Sequence, residues 1–206
     1  MIAVCDMGPL HYLVLIGCDH ILPRLFDRVI TARVVVGQEM SDPQTPEPVR
    51  LWAGNPPPWL EVMEARQVED IPSLGKPGVR GDGDRAVISL AREVAADVLV
   101  MDDRKARREA RRRGLRLVWT LDVLDEAAER GIIDDLCERL EHLVDRTPFY
   151  YPGKKESHEP LRDRTGPDRT GPDRIGQDCP TYFRPVPKSV GQSCSMRADR
   201  IGSDPK

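Results

Sequence analysis

Four aspartates lie where apolar segments of the sequence end or begin: Asp6, Asp84, Asp102 and Asp103. The first comes directly after the apolar run 2–5, the last two follow the run 98–101, and Asp84 opens a segment with helical apolar spacing. Carboxylates that are brought together repel one another and stay ionised only around a hard divalent cation; Mg²⁺ and Mn²⁺ prefer such oxygen ligands. A site of this kind can activate water for attack on a phosphodiester.

Each aspartate also has a structural explanation, because acidic residues are common where helices begin. Aspartate is a good N-cap residue, and the helix dipole favours negative charge in the first turn. For Asp84 taken alone, and for one residue of the pair Asp102 and Asp103, capping is the simpler interpretation. Two aspartates in succession nevertheless leave one available for chemistry.

A strongly basic segment follows the aspartate pair. The chain carries good helix formers from Arg104 to the stop signal Gly114, with Ala106 and Ala110 on the predicted inner face. The basic residues that we expect to contact a nucleic-acid backbone are Arg104, Lys105, Arg107, Arg108 and Arg111. The formal net charge of the whole chain is -3. The expectation therefore depends on the local patch, which matters more to a polyanion than the total charge does.

Alternating strand and helix patterns from Met1 to about Val144 predict a three-layer α/β/α domain with a central, mainly parallel sheet. We expect a helix over 32–40, a proline-rich loop or flap over 41–58 and an edge strand over 60–65. Ligands of open α/β sheets bind outside the carboxyl ends of the strands. The aspartates that follow strands are therefore expected to meet at that edge.

The end of the chain differs in composition from the rest. We divide the 206 residues into a domain over 1–150 and a tail over 151–206, which contains the near-repeat DRTGPDRTGPDRIGQD. The tail has few residues that could form a core, so we expect it to be disordered. No apolar run approaches the roughly 20 residues of a membrane span, and the start lacks a signal-peptide pattern, so we expect a cytoplasmic protein without membrane association.

Three motifs resemble those of the PIN-domain ribonucleases, and most closely the VapC-like toxin branch of that family. They are AVCDMGPLHYL, GDGDRAVISLA and ADVLVMDDRKARREARRRGL, in that order, and the resemblance covers roughly residues 1–150. It implies an endoribonuclease that depends on Mg²⁺ or Mn²⁺ and cleaves single-stranded or structured RNA with metal-activated water. The residues matching the acidic ligands and catalytic residues of the family are Asp6, Asp84 and Asp103, with Asp102 as a further metal ligand.

The resemblance also implies a partner and shows two departures. Toxins of this branch are neutralised by a cognate antitoxin protein, and the sequence leaves open whether the chain pairs with a second copy as a homodimer. Asp84 stands where relatives usually have glutamate, which shortens the reach of the carboxylate by one methylene. Gly8 stands where relatives usually have serine or threonine.

Three hypotheses of different classes follow from these observations. The first is a toxin-type endoribonuclease, and the second is a catalytically weakened PIN-like module that binds nucleic acid, which the two departures favour. The third is a generic α/β binding protein in which the aspartates serve only as helix caps. The segment GDGDRA does not match the dinucleotide fingerprint GxGxxG and follows no clear strand, so the third hypothesis lacks a Gly-rich phosphate loop.

Overall fold

Short apolar runs rich in valine form the strands of one parallel sheet. The structure, a computed structural model, describes residues 1–78, 81–147 and 149. In this part of the chain the strands are β1 (Ile2–Cys5), β2 (Arg28–Ala32), β3 (Leu60–Met63), β4 (Val98–Val100) and β5 (Leu117–Val118). Their order is β3-β2-β1-β4-β5, and neighbouring strands are parallel. The predicted α/β class with a parallel central sheet is confirmed.

Helices lie in two groups around this sheet. They are α1 (Met7–Leu15), α2 (Leu22–Leu25), α3 (Glu47–Gly54), α4 (Asp82–Glu93), α5 (Arg104–Arg112), α6 (Thr120–Glu129) and α7 (Leu136–Arg146). The α4 helix lies against β1, β2 and β4 and contacts α5, whereas α1 contacts α3 and α6. In α4, the side chains of Val87, Leu90 and Ala91 are fully buried at helical spacing. The two groups of helices and the sheet between them give the three expected layers.

The proline-rich segment 41–58 contains the helix α3 where we expected a loop or flap. Pro48 lies in the first turn of α3, where proline fits because its missing N–H would have no helical partner there. Val49 and Ala53, four residues apart, are both buried and hold the helix on the domain. The prediction of an irregular segment was wrong here because the density of proline obscured this apolar pair.

Two further predictions concern the segments on either side of α3. The expected helix over 32–40 is present as a shorter helical segment whose last part, Val35–Glu39, is a π-helical turn with Val35 and Val36 buried. The expected edge strand over 60–65 is confirmed as β3, which pairs only with β2 among the described residues.

The order of the strands creates a topological switch point between β1 and β4. After β1 the chain adds β2 and β3 on one side, and it later adds β4 and β5 on the other. Ligands of open α/β sheets bind in the crevice at such a point, outside the carboxyl ends of the strands. The register aligns Cys5 with Val100, and the N–H of Asp6 donates to the carbonyl oxygen of Val100 at 3.0 Å. The residues that follow β1 and β4 therefore lie at this crevice.

Packing of the domain extends to the last described residue. Phe149 is buried, and its ring centroid lies 4.9 Å from that of Tyr12 on α1. The expected disorder over 151–206 falls outside the described residues. In the part of the chain that the structure describes, no helix combines the length and the apolar character needed to cross a membrane.

Candidate active site

Four carboxylates from distant parts of the sequence influence one another at the carboxyl ends of the strands. This carboxylate cluster consists of Asp6 after β1, Glu39 after β2, Asp84 in the first turn of α4 and Asp102 after β4. Burial raises the pKa of Asp6, which is only 6% exposed, well above its ordinary value. The charges of Asp84, Glu39 and Asp102 raise it further, and only a hydrogen bond from the backbone of Met7 opposes them among the named causes. Without a bound cation, the ionised form of Asp6 is therefore disfavoured by its burial and by the charges of its neighbours.

Glu39 is the member of the cluster that sequence reasoning missed. Burial and the charge of Asp84 raise its pKa from 4.5 to about 7, and a hydrogen bond from the backbone of Gly83 partly opposes them. A Cβ at Gly83 would lie 2.3 Å from both carboxylate oxygens of Glu39, so only glycine fits there without displacement. The only sequence signal for Glu39 was its acidic type in the connection that follows β2. In the structure this connection ends in the π-helical turn that contains Glu39.

Asp102 is held by Thr120, the first residue of α6. Its Oδ1 accepts from the N–H of Thr120 at 3.0 Å, and its Oδ2 accepts from the hydroxyl of Thr120 at 2.6 Å. Burial raises the pKa of Asp102, while these two hydrogen bonds and the charge of Arg107 lower it. Thr120 is fully buried and lies just after β5, which is the neighbour of β4 in the sheet. The carboxylate of Asp102 is therefore fixed between the ends of these two strands.

The side chain of Asp103 contacts the start of α5. Its Oδ1 accepts from the backbone N–H groups of Lys105 and Ala106 at 2.8 and 2.9 Å, so the side chain caps α5. Asp103 is exposed, whereas its neighbour Asp102 is held in the crevice. The structure therefore places Asp103 at the start of α5, and among the charges that raise the pKa of Asp6 it brings Asp102 rather than Asp103. A catalytic role of Asp103 stays a prediction.

The donors of the carboxylate cluster suit a hard divalent cation, but they are not drawn tightly together. Among the described residues, no three His, Cys, Asp or Glu side chains are close enough to form a ready metal site. The chemistry of the donors nevertheless fits Mg²⁺ or Mn²⁺, since all four are carboxylates and their repulsion would be relieved by a cation. Binding would then have to bring these side chains closer.

One face of α1 lines the same crevice beside Asp102. A Cβ at Gly8 would lie 3.6 Å from Oδ2 of Asp102, which is an ordinary contact, so this position has room for a small side chain. Four residues later, Tyr12 has a pKa that is raised by burial and by the charge of Asp102. Gly8, where relatives usually have serine or threonine, therefore borders the carboxylate of Asp102.

The basic residues of α5 divide into two sets. Arg112 and Arg113 form ion pairs with Glu109, and Arg113 also pairs with Glu69. The side chains of the five residues that we expected to contact nucleic acid form no ion pair with any described residue: Arg104, Lys105, Arg107, Arg108 and Arg111. Their positive charges therefore remain available next to the carboxylate cluster.

Comparison with known proteins identifies the family of this domain. No curated protein matches the chain significantly. Among solved structures, a PilT N-terminus domain protein from the hyperthermophilic archaeon Sulfolobus solfataricus P2 is similar at 17% identity and a TM-score of 0.39, over 63% of this chain and 95% of that one. A similarity at this level adds nothing to the family assignment. A family model described as DUF3368: PIN domain matches residues 2–158, and the chain therefore belongs to this family of PIN domains.

Proposed function

We propose that the chain is a divalent-metal-dependent endoribonuclease of the toxin–antitoxin type that acts on RNA in the cytoplasm. The observation that carries this proposal is the placement of four carboxylates at the switch point of the sheet, where the charges of Asp84, Glu39 and Asp102 raise the pKa of the buried Asp6. Membership in the PIN-domain family supports it, because PIN domains are commonly nucleases and generally use divalent metals.

The carboxylates of Asp6, Glu39, Asp84 and Asp102 would hold Mg²⁺ or Mn²⁺. When bound, the cation supplies an activated water for attack on a phosphodiester and neutralises charge that develops on the phosphate. The chain's own contribution is orientation, since Thr120 holds Asp102 with two hydrogen bonds and the backbone of Gly83 holds Glu39. Such supporting contacts fix carboxylates in the direction of a shared ligand.

The helix α5 supplies the surface for the RNA backbone. The side chains of Arg104, Lys105, Arg108 and Arg111 carry positive charge without a counterion among the described residues, and all four are exposed. Phosphate contacts of this kind release counterions and make binding depend on salt. RNA bound along α5 would therefore pass beside Asp102, which lies two residues before the helix begins.

The toxin–antitoxin part of the proposal has a separate support. It depends on the resemblance of three motifs to VapC-like toxins, which implies a cognate antitoxin protein that neutralises the toxin. The family match does not distinguish this branch from other PIN domains. Whether the chain forms a homodimer stays a prediction.

A catalytically weakened module that binds nucleic acid is the second candidate function. Two observations favour it: Gly8 offers no hydroxyl group beside Asp102, and no three donors in the described part of the chain are within reach of one ion. Such a module would keep the basic surface of α5 and bind RNA without cutting it.

The experiment that tests the proposed function compares two neighbouring aspartates in the full chain. Asp102→Asn removes a charge from the carboxylate cluster, so we expect RNA cleavage with Mg²⁺ or Mn²⁺ to fall by on the order of a hundredfold. Asp103→Asn is the matched control, because asparagine also caps helices and the side chain is exposed. We expect this variant to cleave RNA within about twofold of the wild type, because asparagine caps a helix about as well as aspartate does.

Binding and folding are measured on the same variants. Melting temperatures and salt-dependent RNA binding should change little in either variant, so that a loss of cleavage reports chemistry. Loss of cleavage in Asp103→Asn with full activity in Asp102→Asn would contradict the assignment of the cluster. A wild-type protein that binds RNA but never cuts it with either metal would support the weakened module.

A further inference from the structure

We propose that Arg107 and Trp119 form a phosphate subsite next to the carboxylate cluster, separate from the exposed basic residues of α5. The identification of its ligand as a phosphate of RNA rests on the proposed function, whereas the existence of an anion site rests on the geometry alone. Arg107 is a substrate-binding residue in this proposal, because it contacts a phosphate and takes no part in the proton transfers.

Arg107 differs from its basic neighbours in being partly withdrawn from solvent without a partner. Its Nε is buried and has no hydrogen-bond acceptor, and it is the one such arginine atom in the part of the chain that the structure describes. A buried donor without an acceptor reduces stability. Burial, followed by the charge of Arg111, lowers the pKa of Arg107 to about 10. The folded protein therefore holds this guanidinium in an unfavourable environment.

Two other sheltered arginines of the described residues, Arg85 and Arg113, have several acceptors, unlike Arg107. Arg85, only 2% exposed, donates to Asp82 at 2.8 Å and to the carbonyl oxygen of Gly75 at 3.0 Å. Arg113 donates to Glu69 and Glu109 at distances between 2.8 and 3.1 Å. At these two positions the fold supplies acceptors for the guanidinium that it shelters.

The indole of Trp119 fixes the plane of this guanidinium. The Cζ of Arg107 lies 3.9 Å from the centroid of the Trp119 ring, a close cation–π contact. Trp119 follows β5 directly, and its backbone N–H donates to Oδ2 of Asp122 at 2.9 Å. A guanidinium stacked on a ring keeps its N–H groups directed outward in its plane, and this fork matches two oxygens of a phosphate.

The surroundings of the subsite favour a phosphate that also faces the carboxylate cluster. Asp102 and Asp122 attract Arg107 electrostatically, yet neither forms an ion pair with it within the described residues. Both carboxylates are already occupied, Asp102 by Thr120 and Asp122 by the backbone of Trp119. Arg107 as a whole is only half-buried, and its terminal nitrogens, unlike Nε, are not among the enclosed atoms. A ligand from outside can therefore meet these terminal N–H groups, and a phosphodiester next to a cation-binding cluster has the matching charge and shape.

The test measures anion binding in EDTA, where cleavage by a metal-dependent nuclease cannot occur. The probes are inorganic phosphate and an RNA oligonucleotide with 2′-O-methyl groups, titrated into the full chain. NMR resonances of arginine Nε–Hε groups report on the guanidinium, and the signal that Arg107→Lys removes is assigned to Arg107. We expect phosphate to shift this signal and that of the Trp119 indole.

Three variants separate a forked subsite from a diffuse positive charge. Arg107→Gln should weaken phosphate binding about tenfold or more, and Arg107→Lys should weaken it several-fold although the charge is kept. Arg24→Gln is the matched control, because Arg24 is exposed on α2 before β2, at the opposite edge of the sheet. We expect this control to bind phosphate within about twofold of the wild type, since it removes only a distant, screened charge.

The outcomes distinguish failure of the subsite from failure of the proposed function. Phosphate binding by Arg107→Gln that equals that of Arg24→Gln would overturn the subsite, even if the wild type cleaves RNA. Wild-type affinity in Arg107→Lys would equally overturn it, since a planar fork would then be unnecessary. Phosphate binding that depends on Arg107 in a protein that never cleaves RNA would uphold the subsite and refute the nuclease.

Discussion

Replacing Glu39 with glutamine should make the metal-free protein more stable at neutral and alkaline pH. The pKa of Glu39 is raised from 4.5 to about 7 by burial and by the charge of Asp84. The folded protein therefore binds this proton more tightly than the unfolded chain does. The stabilisation that comes from this tighter proton binding is complete below about pH 4.5 and is lost as the pH rises through 7. The free energy of unfolding therefore falls over this interval. Glutamine carries no proton to lose and keeps an oxygen that can accept from the backbone of Gly83.

The size of the effect follows from the two pKa values. The difference between about 7 and 4.5 corresponds to at most roughly 3 kcal/mol of unfolding free energy at pH 8. Because the side chain is only half-buried, screening by solvent reduces this to about 1 to 3 kcal/mol. For a domain of this size, about 2 to 4 °C of melting temperature corresponds to 1 kcal/mol. The variant should therefore melt several degrees above the wild type.

The assay is thermal unfolding followed by circular dichroism in EDTA at pH 5 and pH 8. The gap between Glu39→Gln and the wild type should be wide at pH 8 and nearly closed at pH 5, and added Mg²⁺ should stabilise the wild type more than the variant. Glu129→Gln is the control, because Glu129 is exposed at the end of α6. Equal pH dependence in Glu39→Gln and the wild type would refute the placement of Glu39 in a repulsive cluster.

Two further predictions concern glycines that border the site. Gly83→Ala should displace the carboxylate of Glu39, because the added Cβ would lie 2.3 Å from its oxygens. The rise in melting temperature that Mg²⁺ produces at pH 8 should then be smaller than in the wild type. Gly37→Ala is the control, since a Cβ at Gly37 would meet open space. A rise equal to that of the wild type would show that this carboxylate need not stay in place. Gly8→Ser should raise the rate of RNA cleavage, because its hydroxyl group can donate to Asp102, and Gly8→Ala supplies the Cβ alone. Equal rates for serine and alanine would exclude a role for the hydroxyl group.

The sequence alone determined the strands of the sheet, most of the helices and the edge of the sheet where we expect the site. Apolar runs of strand length, each followed by a helical pattern, predict parallel strands, because a crossover helix returns the chain to the same edge. For that reason Asp6 and the pair at 102–103 could be placed together before any contact was known. The basic face of α5 was also predicted, since helical spacing fixes which residues share a side.

Only the tertiary structure decided which acidic residues meet. Asp102 and Asp103 are adjacent in sequence, yet one is held in the crevice by Thr120 and the other caps α5, because successive residues at a strand end point in different directions. Glu39 enters the cluster through a π-helical turn, which has no clear sequence pattern.

Long-range pairing likewise decided which charges stay available. Arg113 is neutralised by Glu69, 44 residues earlier in the chain, whereas Arg107 on the same helix stacks on Trp119 and lacks an acceptor. Periodicity assigns a residue to a face of its own element. The identity of the group opposite that face depends on how the elements pack, which is a property of the whole chain and not of any local segment.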